Sequence, residues 1–152
     1  MTSIVLSADE DAGRNWHIQG PKVEARNDLN RHIVFSGLQR LRVQECERVV
    51  ALRTELTKCG AKVIEEGNTL TVYPSQLHGA EIETYNDHRM AMCFAILGLK
   101  VPGIKLKNPA CVKKTFPNFF QKLAAPPPHG LGATILDAKT GRKLTHDELF
   151  AE

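Results

Sequence analysis

Between residues 38 and 123 the hydrophobic period of the chain switches repeatedly between helix and strand, and the switches leave few folds open. Val49, Leu52, Leu56 and Cys59 recur at steps of three and four and are followed by Gly60, so the spacing predicts an amphipathic helix that stops there. Residues 61–65 and Thr69–Tyr73 flank Glu66-Gly67-Asn68, the pattern of a hairpin. A strand is predicted over 80–83. Thr84 with Asp87 three residues on has the form of a capping box, and Asp87 is itself read as a cap of the apolar helix that runs to about Leu99. A further strand is predicted over 103–107. Thr115 is then placed as the cap of a last helix reaching Leu123, with Pro117 in its first turn. Helices alternating with strands and a hairpin argue an α/β (α+β) layered unit.

The flanks differ in character. Residues 1–37 are polar and weakly patterned, and only 33–35 reads as a strand. Residues 124–152 open with AAPPPHGLG, whose three successive prolines predict an extended linker, followed by a polar tail. That tail offers a strand over 133–137, a turn at Thr140-Gly141 and a Thr145-x-x-Glu148 cap. The longest apolar run, residues 90–99, is about half of what a membrane crossing needs, so no membrane association is expected. The N-terminus lacks a basic segment before its short apolar stretch and predicts no secretory signal. Cys46, Cys59, Cys93 and Cys111 form no C-x-x-C pair, so no metal site is expected, and all four are read as small buried apolar residues of a cytoplasmic protein.

Net charge is +3 overall, too balanced to indicate a nucleic-acid partner. Its distribution says more. Residues 38–123 hold 13 Lys+Arg against 8 Asp+Glu, a net +5, whereas each flank carries −1. Cations are disfavoured at a helix N-terminus by roughly 0.3–1 kcal/mol each, because the free N–H groups there are already positive. The predicted helices nonetheless begin beside Arg42 and Arg48, beside His88 and Arg89, and beside Lys113 and Lys114. Taken singly, each is most simply a solvated surface side chain, and Glu45 with Arg48 is an ordinary ion pair by spacing. Taken together they point to sites for phosphate or carboxylate.

The residues that carry these cations also carry a resemblance. Thr84-Tyr85-Asn86-Asp87-His88-Arg89-Met90-Ala91-Met92, then Val101-Pro102-Gly103, then Cys111-Val112-Lys113-Lys114-Thr115-Phe116-Pro117, are similar to the C-terminal signature of 5-enolpyruvylshikimate-3-phosphate (EPSP) synthase, 3-phosphoshikimate 1-carboxyvinyltransferase. Upstream, Leu41-Arg42-Val43-Gln44-Glu45-Cys46-Glu47-Arg48 resembles the same family's R-V-K-E stretch. The motifs cover residues 38–123, and the wording of 100–124 is most similar to the synthase section of the fungal pentafunctional arom protein.

The resemblance implies a partial enolpyruvyl-transferase domain built from βαβαββ-type units, taken from a fold that has two domains and six such units. It implies transfer of the carboxyvinyl group of phosphoenolpyruvate to the 5-hydroxyl of shikimate 3-phosphate, on the route to chorismate and the aromatic amino acids, with no metal or organic cofactor. Gln44, Arg48, Arg89 and Lys114 would bind phosphoenolpyruvate, Glu45 would move the proton at its methylene carbon, and His88 would stand beside the reacting centre. Gln44 replaces the family's lysine and brings no charge, so Arg42 or Lys113 would have to compensate. The first domain of the family fold has no counterpart in this sequence, so the chain is expected to be inactive alone and to need a complementary N-terminal domain chain. Two alternatives are a non-catalytic anion-binding or interaction relic of the fold and, more distantly, the UDP-N-acetylglucosamine enolpyruvyl transferase of peptidoglycan synthesis.

Overall fold

The structure is a computed structural model that describes residues 2–7, 15–20 and 32–152. It divides into two compact units, one holding the first two strands with Gly79–Glu152 and the other ending at His78.

The smaller unit is a three-stranded antiparallel sheet with a helix. The central strand β5 (Thr69–Tyr73) pairs with β3 (Ile33–Phe35) on one side and β4 (Lys62–Glu66) on the other. Glu66 pairs with Thr69, so the hairpin turn shortens to Gly67-Asn68, and Gly67 takes the positive φ of 59° that such a turn asks of its first residue. Helix α1 (Arg48–Lys58) begins on Glu47, whose carboxylate accepts from the amides of Val49 and Val50. It ends as the sequence predicts. Gly60 sits at φ +88°, its amide donates to Thr57 O, and the amide of Ala61 donates to Leu56 O, which is the paired bonding of a Schellman end. Val49, Ala51, Cys59 and Leu70 form the buried core of this unit.

The larger unit holds a five-stranded sheet. Strands β6 (Glu81–Ile82), β7 (Ile104–Lys107) and β1 (Thr2–Ser7) run parallel, β2 (Asn15–Gly20) pairs antiparallel with β1, and β8 (Thr134–Asp137) pairs antiparallel with β2. Strands β6 and β7 are parallel and therefore need a crossover, which α2 (His88–Leu97) supplies. Helix α2 buries Met90, Ala91, Phe94 and Ala95, a stripe at helical spacing, against a core that includes Ile82, Ile104, Leu106 and Val112. An apolar helix would be expected to bury all its apolar residues, but Met92 and Ile96 stand outside the core. They lie on the opposite stripe, and Ile96 is 49% exposed.

Three further expectations are corrected. Two strands, β1 and β2, lie in the segment read as nearly patternless. Thr84 does not cap α2. Asp87 does, accepting from the Arg89 amide at 2.9 Å, while Thr84 is buried and donates from Oγ1 to Lys107 O at 2.8 Å. Thr115 does not cap α3 (Phe119–Ala124) either, because a 3-10 segment, Pro109–Lys114, comes first and Thr115 closes it.

The proline-rich stretch turns back instead of extending. His129 and Gly130 donate to Pro126 O, and Gly132 and Ala133 then satisfy the Ala125 and Leu123 carbonyls where α3 ends. The tail beyond it contributes Ile135, Leu144, Leu149 and Ala151 to the core. Its last turn is fastened by Glu148, which accepts two hydrogen bonds from Arg142 at 2.9 and 2.8 Å and one from the Thr145 amide. Those donors hold its carboxyl down at about 2.

Gly79 and Gly103 approach so closely that a Cβ on Gly79 would stand 2.5 Å from the carbonyl oxygens of Pro102 and Gly103. Backbone cannot yield as a side chain does, so Gly79→Ala is expected to cost about 3 kcal/mol. Urea unfolding measures this, and an unchanged midpoint would contradict the close approach.

Candidate functional site

The start of α2 is aimed by a turn. Thr84 O accepts from the Asp87 amide at 2.9 Å, and the two residues between, Tyr85 and Asn86, sit at φ +56° and +51°. Left-handed backbone is tolerable for Asn but unusual for Tyr, and consecutive residues in that region mark a conformation imposed from outside the turn. The imposing contacts come from the corner after β7. Thr84 Oγ1 donates to Lys107 O, and Asn108 Nδ2 donates to Asn86 Oδ1 at 3.3 Å. Lys114, at the end of the 3-10 segment, donates from Nζ to Asn86 O at 3.4 Å.

This turn sets His88 and Arg89 as the first two residues of α2. One helical turn later come Met92 and Cys93, and these four with Thr115 line an open pocket of about 400 Å³. Arg89 is exposed, whereas His88 is buried and its Nδ1 has no hydrogen-bond partner. A buried polar nitrogen without a partner is uncommon in folded chains and asks for an explanation. A cation at this helix start adds its charge to the free amides of the first turn, so the pocket can hold an anion.

The six site residues inferred from sequence fall in both units. His88 and Arg89 share the pocket, and Lys114 is joined to the same turn through Asn86. Gln44, Glu45 and Arg48 belong to the smaller unit. Gln44 closes a 3-10 turn, Leu38–Val43, and is exposed together with Glu45, while Arg48 is the first residue of α1 and is buried.

Of the three helix starts read as cationic, two stand. Lys113 and Lys114 lie in the last turn of the 3-10 segment, where positive charge suits the free carbonyls, and α3 begins only at Phe119. The two residues suggested as substitutes for the missing family lysine are both engaged. Arg42 pairs with Glu47 at 2.8 Å and Glu65 at 3.2 Å and also donates to Asn68 and to Gly67 O, so it welds the β4–β5 hairpin to the cap of α1. Lys113 donates to Glu152 O. Sequence reasoning missed Asn86, Asn108 and the pocket-lining role of Thr115. The signal of Asn86 and Asn108 is conformational, two left-handed asparagines far apart in sequence that no periodicity reveals.

Among the described residues, no group of three or more His, Cys, Asp or Glu is placed to hold a metal ion.

Comparison with known proteins fits these motifs. The EPSP synthase (3-phosphoshikimate 1-carboxyvinyltransferase) family model matches residues 29–123, more than half of the chain. The chain belongs to the EPSP synthase family. It is 47% identical over 90 residues to a 3-phosphoshikimate 1-carboxyvinyltransferase of Nostoc punctiforme, covering 59% of this chain and 21% of that protein. With the enzyme of the same name from Sodalis glossinidius it shares 53% over 85 residues, 55% of this chain and 20% of the relative. The solved EPSP synthase of Acinetobacter baumannii superposes with a TM-score of 0.58 at 27% identity, over 68% of this chain and 25% of that one. The chain thus spans about a fifth of the length of the curated synthases it matches. The matched stretch takes in β3 and begins upstream of residue 38, whereas β1, β2 and β8 lie outside it.

The four cysteines are not all buried as expected. Cys59 and Cys111 are, and burial raises both thiols, Cys111 to about 11, whereas Cys93 is exposed at the pocket and Cys46 is intermediate. A thiol reacts as its thiolate. Differential alkylation read by mass spectrometry is therefore expected to label Cys93 first and to spare Cys59 and Cys111 until the chain unfolds. Equal labelling of Cys111 in the folded chain would contradict this placement.

Proposed function

We propose that this chain is the phosphoenolpyruvate-handling, C-terminal part of a 3-phosphoshikimate 1-carboxyvinyltransferase, working in the cytoplasm with a complementary polypeptide. The observation that carries the reading is the pair His88 and Arg89 at the α2 start, opening on a pocket with Thr115 while Lys114 is tied to the same turn. Arg89 adds its positive charge to the donors at this helix start, and phosphoenolpyruvate brings both a phosphate and a carboxylate for them to bind.

By the family motif, Arg89, Lys114, Arg48 and Gln44 take the anionic groups. Glu45 moves the proton at the methylene carbon, and His88 stands beside the centre where the 5-hydroxyl of shikimate 3-phosphate joins the carboxyvinyl group and phosphate departs. Gln44 offers an amide where the family has an ammonium, so binding is weaker than in the lysine-bearing relatives. Within the family, residues 100–124 are placed by this reading nearest the synthase section of the fungal arom protein.

The need for a complementary polypeptide is supported by the smaller unit. All three residues of strand β3, Ile33, Val34 and Phe35, are 48–54% exposed, and Val43 is 80% exposed. The exposed apolar strand β3, at the edge of its sheet, asks for a covering partner.

Calorimetric titration with phosphoenolpyruvate, with and without shikimate 3-phosphate, tests the reading. Arg89→Ala is expected to weaken phosphoenolpyruvate binding about tenfold or more, the scale of a lost charged hydrogen bond. Unchanged affinity would make Arg89 a surface residue and overturn the assignment. Brisk release of phosphate from both substrates by the chain alone would overturn the requirement for a partner.

A further inference from the structure

We propose that Asn86 is the positioning residue of the anion pocket, held by Asn108 so that it fixes where the Lys114 ammonium stands relative to the start of α2. The proposal rests on the reading above, that Lys114 and Arg89 serve one anionic substrate.

Asn86 is the point at which two loops meet. Its backbone carbonyl accepts from Lys114 Nζ at 3.4 Å, and its side-chain carbonyl accepts from Asn108 Nδ2 at 3.3 Å. One residue further on, Asp87 caps α2 and places Arg89. A lysine side chain has four rotatable bonds and loses about 2 kcal/mol of rotamer freedom when fixed, so an unguided ammonium would be spread over many positions. Accepting its hydrogen bond on a carbonyl one residue from the helix cap keeps it near the helix start.

That carbonyl is itself aimed only because Asn86 occupies the left-handed region at φ +51°. Asn108 sits there too, at φ +48°, as the residue that leads from β7 into the Pro109–Lys114 segment. Two short side chains that tolerate this backbone therefore bond to each other across the loops. The buried Thr84, bonded to Lys107 O, supports the same junction from beneath. Both oxygens of Asn86 are engaged with protein donors, which fits a positioning role.

Glycine replacements isolate the bond from the backbone, because glycine adopts positive φ without strain. Asn108→Gly and Asn86→Gly are each expected to weaken phosphoenolpyruvate binding about fivefold by calorimetry, and the double variant no further than the worse single one. In a Lys114→Ala background, Asn108→Gly is expected to change nothing, a result that general loosening of the fold would not give. Wild-type affinity in Asn108→Gly, or a full fivefold loss without Lys114, would overturn the proposal. A wild-type chain that fails to bind phosphoenolpyruvate would overturn the functional reading instead. The clasp is then read without ligand from the Lys114 side-chain nuclear magnetic resonances. Asn108→Gly is expected to shift them, and unmoved signals would overturn the clasp.

Discussion

The bond from Thr84 Oγ1 to Lys107 O joins the loop before α2 to the corner after β7, and the candidate site is built on that junction. Thr84 is fully buried, so its hydroxyl has no water to turn to and the bond is expensive to leave unmade. With Thr84 fixed, the Asp87 amide closes on its carbonyl, Tyr85 and Asn86 are driven into left-handed backbone, and Asp87 is delivered to the start of α2 as its cap. The apolar stripe of α2, Met90, Ala91, Phe94 and Ala95, then sets the helix's rotation on the sheet. That rotation leaves Arg89, Met92 and Cys93 on the outward side with the pocket. Strain at the turn and burial along the helix thus act on the same few residues from opposite sides.

The smaller unit uses charge differently. Arg42 draws Glu47 and Glu65 together at its guanidinium, and Glu47 at the same time caps α1. Arg42 is therefore a brace between hairpin and helix, and its positive charge is spent locally. This matters for function, since net charge over residues 38–123 does not equal charge offered to a ligand.

Much of this was legible in the sequence where one local rule decides the outcome. Gly60 after a three-and-four apolar pattern fixes the end of α1, and Gly67-Asn68 fixes the hairpin. Membership of the EPSP synthase family was legible from the motifs at 84–92 and 111–117, which the family match includes. What stayed hidden depends on partners distant in sequence. Thr84 looks like a cap until Lys107, 23 residues away, is seen to claim its hydroxyl. Thr115 looks like a cap until Pro109–Lys114 forms ahead of it. Arg42 looks like a free cation until Glu65 closes on it from the hairpin. The triple proline predicts extension, but the unsatisfied carbonyls at the end of α3 fold the chain back.

The most direct measurement of the central claim, that the start of α2 is an anion site shaped by the Thr84–Asp87 turn, is an amide proton–nitrogen spectrum of the chain titrated with phosphoenolpyruvate. Saturable shifts concentrated at the amides of His88, Arg89 and Thr115, with the tail beyond β8 unmoved, are the predicted result. Shifts scattered over the exposed lysines without saturation, or no shift at His88 and Arg89, would contradict it.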